Sequence, residues 1–484
     1  MCTFTHHQKN GNKFSKIVYI TKGEGIKKMK KKTLAFLEIA IVLCSVFLVA
    51  LPTITADQNL EMQKVSATEV TAASEDEFTL GIYGNANEDD TIDMRDTTYI
   101  KLVIFGKKPK TDLADANYDG KVSMLDVGQT KLIIVGKEKK LTFVDIFGEA
   151  ETVNKPIKRL VNTGWMGVEV TRAIGARDIL VAIGSQKSIA AHKNFYPEIS
   201  KLPAVGNAPN CDYEMILCLK PDTVMTNLEY AAVAGAGLEK KRIFEEKLPG
   251  MPVISLNMRE AEILPESVRT LGYILDKENE AEEFANWIEG YMSTYKSRTE
   301  GLSENEKPRI YMESDYKGPY HAVGSGCNYF LPVLWTGGRN ILDELVGPYD
   351  PGYTTAGVEV DPEWVMVQNP DIIFLRRSSA HPGGYETDDP SEYATLRQEI
   401  LNRPELANIN AVKNRRIYVG YAAVLAGPST IFSAAYIGKE LQPDLFVDID
   451  PQAIHQEYVD RFCHIDFNVK EHGVFFYPPP EESR

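Results

Sequence analysis

Two twelve-residue stretches in the first third of the chain, 85–96 and 115–126, carry the residues whose types and spacing most clearly spell out a chemistry. Each places an oxygen-bearing side chain at loop positions 1, 3, 5, 9 and 12, with a β-branched residue (Ile92, Val122) at position 8. The first loop offers Asn85, Asn87, Asp89, Asp93 and Asp96, with the backbone carbonyl of Thr91 at position 7. The second offers Asp115, Asn117, Asp119, Ser123 and Asp126, with the carbonyl of Lys121. A hard cation such as Ca²⁺ takes about six to eight oxygens, which a tight loop supplies from alternate side chains plus one carbonyl. The pattern predicts two Ca²⁺ sites. Loop 1 departs from it twice: Asn85 removes a charge, and Asp90 stands where loop 2 has Gly120 at the sharp turn.

Each loop leads into a near-copy of one helical stretch, Tyr99-Ile-Lys-Leu-Val-Ile-Phe-Gly-Lys107 and Thr130-Lys-Leu-Ile-Ile-Val-Gly-Lys137. A duplicated loop–helix unit with Asp at position 12, and no helix entering the loop, resembles a dockerin module over residues 80–140. The resemblance implies a small all-α calcium-binding domain that docks onto a cohesin-bearing partner. Met94, Arg95, Lys101, Met124, Leu125 and Lys131 fall at the positions that face that partner in the family.

With 484 residues, the chain has room for two or three domains. Lys30-Lys31-Lys32 precede an apolar run from Leu34 to Leu51, followed by Pro52 and the small-residue stretch Ile54-Thr55-Ala56. That arrangement reads as a secretory signal peptide over 1–56, with Met29 an alternative start and an uncleaved anchor the other reading. Removing it takes away nine lysines and two glutamates, so the net charge falls from −15 to −22. So acidic an extracytoplasmic protein is not drawn to nucleic acid or anionic lipid by charge. Four scattered cysteines remain (Cys211, Cys218, Cys327 and Cys463), which excludes a disulfide scaffold. Cys211 and Cys218, seven apart, are expected on one buried helix face.

Residues 57–79 are rich in Ala, Ser, Thr and Glu and read as a linker. From 143 to 467, short β-branched runs alternate with helical patterns, predicting an α/β domain with mostly parallel sheets, and 468–484 reads as a tail. The β runs are 160–161, 179–181, 223–225, 252–254, 309–311, 372–374 and 416–419. One pattern occurs twice: Glu214 lies seven residues before Pro221-Asp222, and Glu363 seven before Pro370-Asp371, each ahead of a buried strand. Two similarly wound, Rossmann-like lobes follow. They are joined by a long helix within the polar stretch 260–302, which leaves a cleft and limits its closure.

Lys155-Pro-Ile-Lys-Arg-Leu-Val161, Leu202-Pro-Ala-Val-Gly206, Leu219-Lys-Pro-Asp-Thr-Val224, Gly337-Gly-Arg-Asn-Ile341, Asn369-Pro-Asp-Ile-Ile373 and the closing 450–462 segment make this domain resemble the substrate-binding proteins of ABC importers for metal chelates. The resemblance covers nearly all of 143–467. It implies binding without turnover of a ferric siderophore, haem or cobamide, and delivery to an ABC permease and its ATPase. It also implies that Glu214 and Glu363 pair with permease arginines, although a helix-start acid favoured by the macrodipole predicts the same positions.

Cargo is expected in the interlobe cleft, where strands deliver their C-terminal loops. On the first lobe these loops hold Trp165, Tyr196, Asn227 and Tyr230; on the second, Tyr316, Tyr320, Tyr329, Arg376, Arg377, Tyr421 and His381. Aromatics offer flat walls for a macrocycle or catecholate, and paired arginines suit an anionic chelate. His192 and His381 are axial-ligand candidates if the cargo is haem. Eight histidines without an HxH or HxxxH pair argue against a bare-metal site. A chelate-handling enzyme and a non-transport surface scaffold are the competing readings. No GxSxG, P-loop or GxGxxG motif is present to favour an enzyme.

Overall fold

The computed structural model describes residues 78–184, 189–226, 237–346 and 356–479. The expected signal peptide, most of the linker, Asn227 and Tyr230 lie outside them. Among the described residues no helix is long and apolar enough to cross a membrane.

Each of the seven β-branched runs forms a strand. After a hairpin of β1 (Lys140–Val144) and β2 (Ala150–Asn154), the first lobe is built on β3 (Leu160–Asn162), β4 (Leu180–Ile183), β5 (Thr223–Met225) and β6 (Val253–Ile254). These pair in parallel in the order β4-β3-β5-β6. The second lobe holds β7 (Arg309–Ser314), β8 (His321–Val323), β9 (Arg339–Asn340), β10 (Ala356–Glu359), β11 (Ile372–Arg377), β12 (Ile417–Tyr421) and β13 (Phe476–Tyr477). Its order is β10-β8-β7-β11-β12-β13, with β9 on β7. The central β7-β11-β12 set is parallel and every residue of β11 and β12 is buried, as a sheet covered on both faces requires. Because β13 pairs with β12, the fold continues past 468, where a tail was expected.

The connection between lobes is a two-helix hairpin rather than one helix. Helix α1 (Leu264–Leu275) turns at Asp276, which takes the left-handed conformation, into α2 (Glu278–Thr299), about 33 Å long. Gly272 permits their close crossing: a Cβ there would lie 2.5 Å from that of Ala281. Trp287 and Phe284 of α2 pack on Tyr458 and Phe462, which ties this helix to the closing segment.

Residues 80–140 contain two eleven-residue helices, Met94–Ile104 and Met124–Ile134. Each is opened by a capping box in which the position-12 aspartate (Asp96, Asp126) accepts from the backbone N–H at position 9. This segment is not purely helical. Ile82 bridges Phe143 of β1, Tyr83 donates to the Thr142 carbonyl (2.9 Å) and Val144 to that of Gly81 (2.7 Å). The boundary expected between 140 and 143 therefore falls inside a shared sheet.

The cysteine expectation needs correction. Asp212 caps its helix through the Met215 N–H, so that helix starts only at Tyr213 and leaves Cys211 outside it. Cys218 is exposed, and all four described cysteines are free thiols.

Candidate functional site

The lobes meet across a small aromatic cavity. Trp165 stands at the first turn of the helix that follows β3, and Tyr196 lies beyond β4. Tyr421 ends β12 and reaches across to His192, whose Nε2 is 2.9 Å from its hydroxyl. Phe195 and Tyr385 complete the wall with rings stacked at 4.4 Å. Beside them Glu386 accepts from the backbone N–H of Asn194 (3.0 Å) and Phe195 (3.2 Å), and Asn194 Nδ2 donates to the Tyr385 carbonyl (2.8 Å). One first-lobe segment is thereby clasped by the second lobe. The free space enclosed is about 50 Å³, far below the roughly 300 Å³ or more of sites that hold drug-sized ligands, so a large cargo requires the lobes to part.

A second interlobe cluster centres on Tyr329. The guanidinium of Arg376 sits 4.0 Å from its ring centroid and that of Arg259, from the segment after β6, 5.6 Å. Arg376 is only 7% exposed; it donates to Ser314 Oγ (2.9 Å), and its Nε has no hydrogen-bond partner. A buried guanidinium held by a hydroxyl and a ring, with no carboxylate paired to it among the described residues, can accept an anionic group.

Trp165, Tyr196 and Tyr421 thus line one cavity, while Tyr329 and Arg376 form a separate cluster. Arg377 belongs to neither: it bonds Asp315 (2.5 Å) and Glu392 and pins the end of β11, because those carboxylates neutralise it. Tyr316 is 69% exposed, His381 is exposed, and Tyr320 binds Glu405 under the guanidinium of Arg403. Phe195, Tyr385, Glu386 and Arg259 escaped sequence reasoning. They sit in irregular connections whose positions depend on packing, and only the density of aromatics around 195 hinted at them.

Glu214 and Glu363 occupy matching surroundings. Each is exposed in the first turn of a seven-residue helix, Tyr213–Leu219 or Pro362–Gln368, capped by Asp212 or Asp361. Both helices end in a left-handed residue, Lys220 or Asn369. The aspartate of each Pro-Asp pair then binds the neighbouring strand: Asp222 accepts from Arg159 N–H (2.9 Å) and Asp371 from Arg309 N–H (2.9 Å). Exposed Met215 and Leu217 flank the first glutamate, and Met366 and Val367 the second.

The two twelve-residue loops share their internal bonds. Asp96 and Asp126 accept from Asn87 and Asn117 N–H (3.1 and 3.0 Å), and Asp89 and Asp119 from Thr91 and Lys121 N–H (3.1 and 3.0 Å). They differ at position 1. Asp115 accepts from Asp119 and Gly120 N–H, whereas Asn85 turns its amide N–H to the Leu80 and Asp89 carbonyls and leaves Oδ1 buried without a partner. Among the described residues no three His, Cys, Asp or Glu side chains converge as a metal cluster. The donor set nevertheless suits a hard cation, with the orphaned Asn85 oxygen at the first ligand position. Met94, Met124 and Leu125 are 54%, 59% and 66% exposed, and Arg95 and Lys131 are exposed, while Lys101 is half-buried.

Comparison with known proteins places this architecture. Residues 160–423, more than half of the chain, match the family described as periplasmic binding protein. The vitamin B12-binding protein of Vibrio parahaemolyticus is 22% identical over 276 residues, covering 55% of this chain and 90% of that protein. The molybdate-binding protein MolA of Haemophilus influenzae is 20% identical over 344 residues, covering 65% and 89%. In fold, the chain is similar to the TroA-like periplasmic binding protein FepB from Veillonella parvula (TM-score 0.56, 21% identity, 69% of this chain and 98% of that one). The chain belongs to the periplasmic binding protein family.

Proposed function

We propose that this protein is the extracytoplasmic substrate-binding component of an ABC importer for a metal chelate: a ferric siderophore, haem or cobamide. The observation that carries the reading is the interlobe site, where an aromatic cavity spans both lobes and Arg376 is held ready for an anion. Two relatives are named for vitamin B12 and one for molybdate, so cargo chemistry varies among similar proteins. The aromatic walls favour a planar or macrocyclic chelate over a bare oxyanion.

Binding proceeds by closure. Cargo enters between parted lobes, rings from both sides pack on its faces, and Arg376 pairs with a carboxylate or other anionic substituent. His192–Tyr421 and the Glu386 clasp then favour the closed form. Glu214 and Glu363 are the permease contacts, two carboxylates on matching helices that set orientation on a two-lobed membrane partner.

Residues 80–140 serve as a dockerin-like module that places the collector on a cohesin-bearing partner. Ca²⁺ in each loop would be held by the side chains at positions 1, 3, 5, 9 and 12 and the carbonyl at 7, and it supplies the charge that orders the loops. Support comes from the duplicated loop bonds and from the exposed Met94, Met124 and Leu125 at the two helix starts.

The test is a titration of the signal-free protein with haem, a cobamide and ferric chelates, followed by tryptophan emission with absorption controls. Saturable quenching by one class, weakened in Trp165→Phe, supports the reading and names the cargo. Turnover of a bound chelate favours an enzyme, and indifference to every chelate favours a scaffold.

A further inference from the structure

The two loops are not equivalent in what they touch. Val122, at position 8 of loop 2, packs against the module's own small cluster of Ala86, Ile100, Ala114 and Val127. Ile92, at position 8 of loop 1, instead joins the main hydrophobic core of the two-lobed domain. Its backbone N–H is directed at the hydroxyl of Tyr273 on α1, 3.4 Å away. Asn85, position 1 of the same loop, is wholly buried and holds the Leu80 carbonyl, next to the segment that pairs with β1.

A buried ion cluster closes the junction from the other side. Lys155, which follows β2, contacts Glu138 at 2.5 Å and Asp276 at 2.7 Å and donates to the Tyr273 carbonyl. Glu138 lies just beyond the second module helix, and Asp276 is the turn between α1 and α2. Tyr273 therefore faces loop 1 through its hydroxyl and the Lys155 cluster through its carbonyl. Breaking such a buried pair leaves a charge uncompensated, so module and domain resist coming apart.

We infer that loop 1 is a structural ion site of the ligand-binding domain itself, so that cation occupancy there stabilises both lobes, while loop 2 reaches them only through the far end of the helix it opens, where Ile133 joins the shared core. The inference rests on the calcium reading proposed above. An ion that binds the folded loop and not the unfolded chain raises the stability of whatever unfolds with that loop. Here that unit includes the core shared by Ile82, Ile92, Ile133 and the lobes. A module tethered by a flexible linker would leave the lobes indifferent to calcium.

The four tryptophans, Trp165, Trp287, Trp335 and Trp364, all lie in the two-lobed domain, so their emission reports that domain's unfolding alone. The experiment combines calorimetric Ca²⁺ titration with thermal melts of the signal-free chain, read by tryptophan emission in Ca²⁺ or EGTA. It uses Asp89→Ala for loop 1, Asp119→Ala for loop 2, and Tyr273→Phe. The expected result is a rise of a few degrees in midpoint with Ca²⁺ in the parent and in Asp119→Ala. The rise should disappear in Asp89→Ala and shrink in Tyr273→Phe, which carries the test if the loop 1 variant does not fold. Ca²⁺ binding heat with an unmoved tryptophan midpoint overturns the inference and leaves the calcium reading standing. An absence of binding heat overturns both, and a shift lost only in Asp119→Ala reverses the assignment of the loops.

Discussion

His192 on the first lobe and Tyr421 on the second stand 2.9 Å apart, Nε2 to hydroxyl, in the wall of the aromatic cavity. The contact joins a first-lobe segment to the end of β12, so it exists only while the lobes are together. Tyr421→Phe keeps the ring wall and removes the hydroxyl. The closed form should lose about 1 kcal/mol, the net value of a typical hydrogen bond, and cargo should leave roughly fivefold faster. Stopped-flow release of the chelate identified by titration measures this. An unchanged rate would leave closure to the Glu386 clasp.

Glu214 and Glu363 touch neither the aromatic cavity nor the Tyr329 cluster. The double substitution Glu214→Ala/Glu363→Ala should therefore abolish uptake in cells while cargo affinity of the purified protein stays within twofold. Each single variant should show an intermediate loss, because one carboxylate still gives partial register. Uptake at parental level in the double variant would leave these residues only their role at helix starts.

Much of this architecture was legible in the chain because local chemistry dictates it. The β-branched runs and the Pro-Asp stops are short-range signals, and each formed the predicted element. The helix hairpin was less legible: nothing in 260–302 advertises a turn except Asp276, whose left-handed backbone suits Asp but does not demand it. The partners of Arg377 were not legible, because Asp315 and Glu392 are distant in sequence and only the fold reveals that they neutralise it. Glu386 was missed for the same reason, since its partners are backbone N–H groups of the other lobe.

The crossing of α1 and α2 makes a stability prediction independent of cargo. Gly272 has no space for a side chain: its Cβ would meet Ala281 at 2.5 Å and the Lys277 carbonyl at 3.1 Å. Gly272→Ala gains helix propensity of about 1 kcal/mol but must push the helices apart, an overpacking cost of about 1–3 kcal/mol. Net destabilisation by urea unfolding is expected, and Gly272→Ala/Ala281→Gly should recover part of it. A more stable single variant would show that the crossing relaxes freely.

Glu169 offers the clearest pH dependence. It is buried on the helix after β3, with Oε1 accepting from Tyr458 and from Ser429 (3.2 Å) and Oε2 unpartnered. Burial pushes its carboxyl up to about 7, against the pull of Tyr458, Arg172 and Ser429. Unfolded, it ionises near 4.5, so across pH 4.5–7 the folded state holds the extra proton. Stability from this group is present below 4.5, falls as pH rises through that window, and stays lost above 7. Glu169→Gln keeps hydrogen-bonding atoms without a charge to bury. It should match the parent at pH 4 and exceed it by about 3 kcal/mol at pH 8. His455 is buried and pushed down to about 3, which makes stability rise with pH between about 3 and 6.5 in both proteins. That contribution cancels in the difference between them. Urea unfolding at pH 4, 6 and 8 measures the gap, and a gap constant with pH would mean that burial does not move the Glu169 carboxyl from its unfolded value.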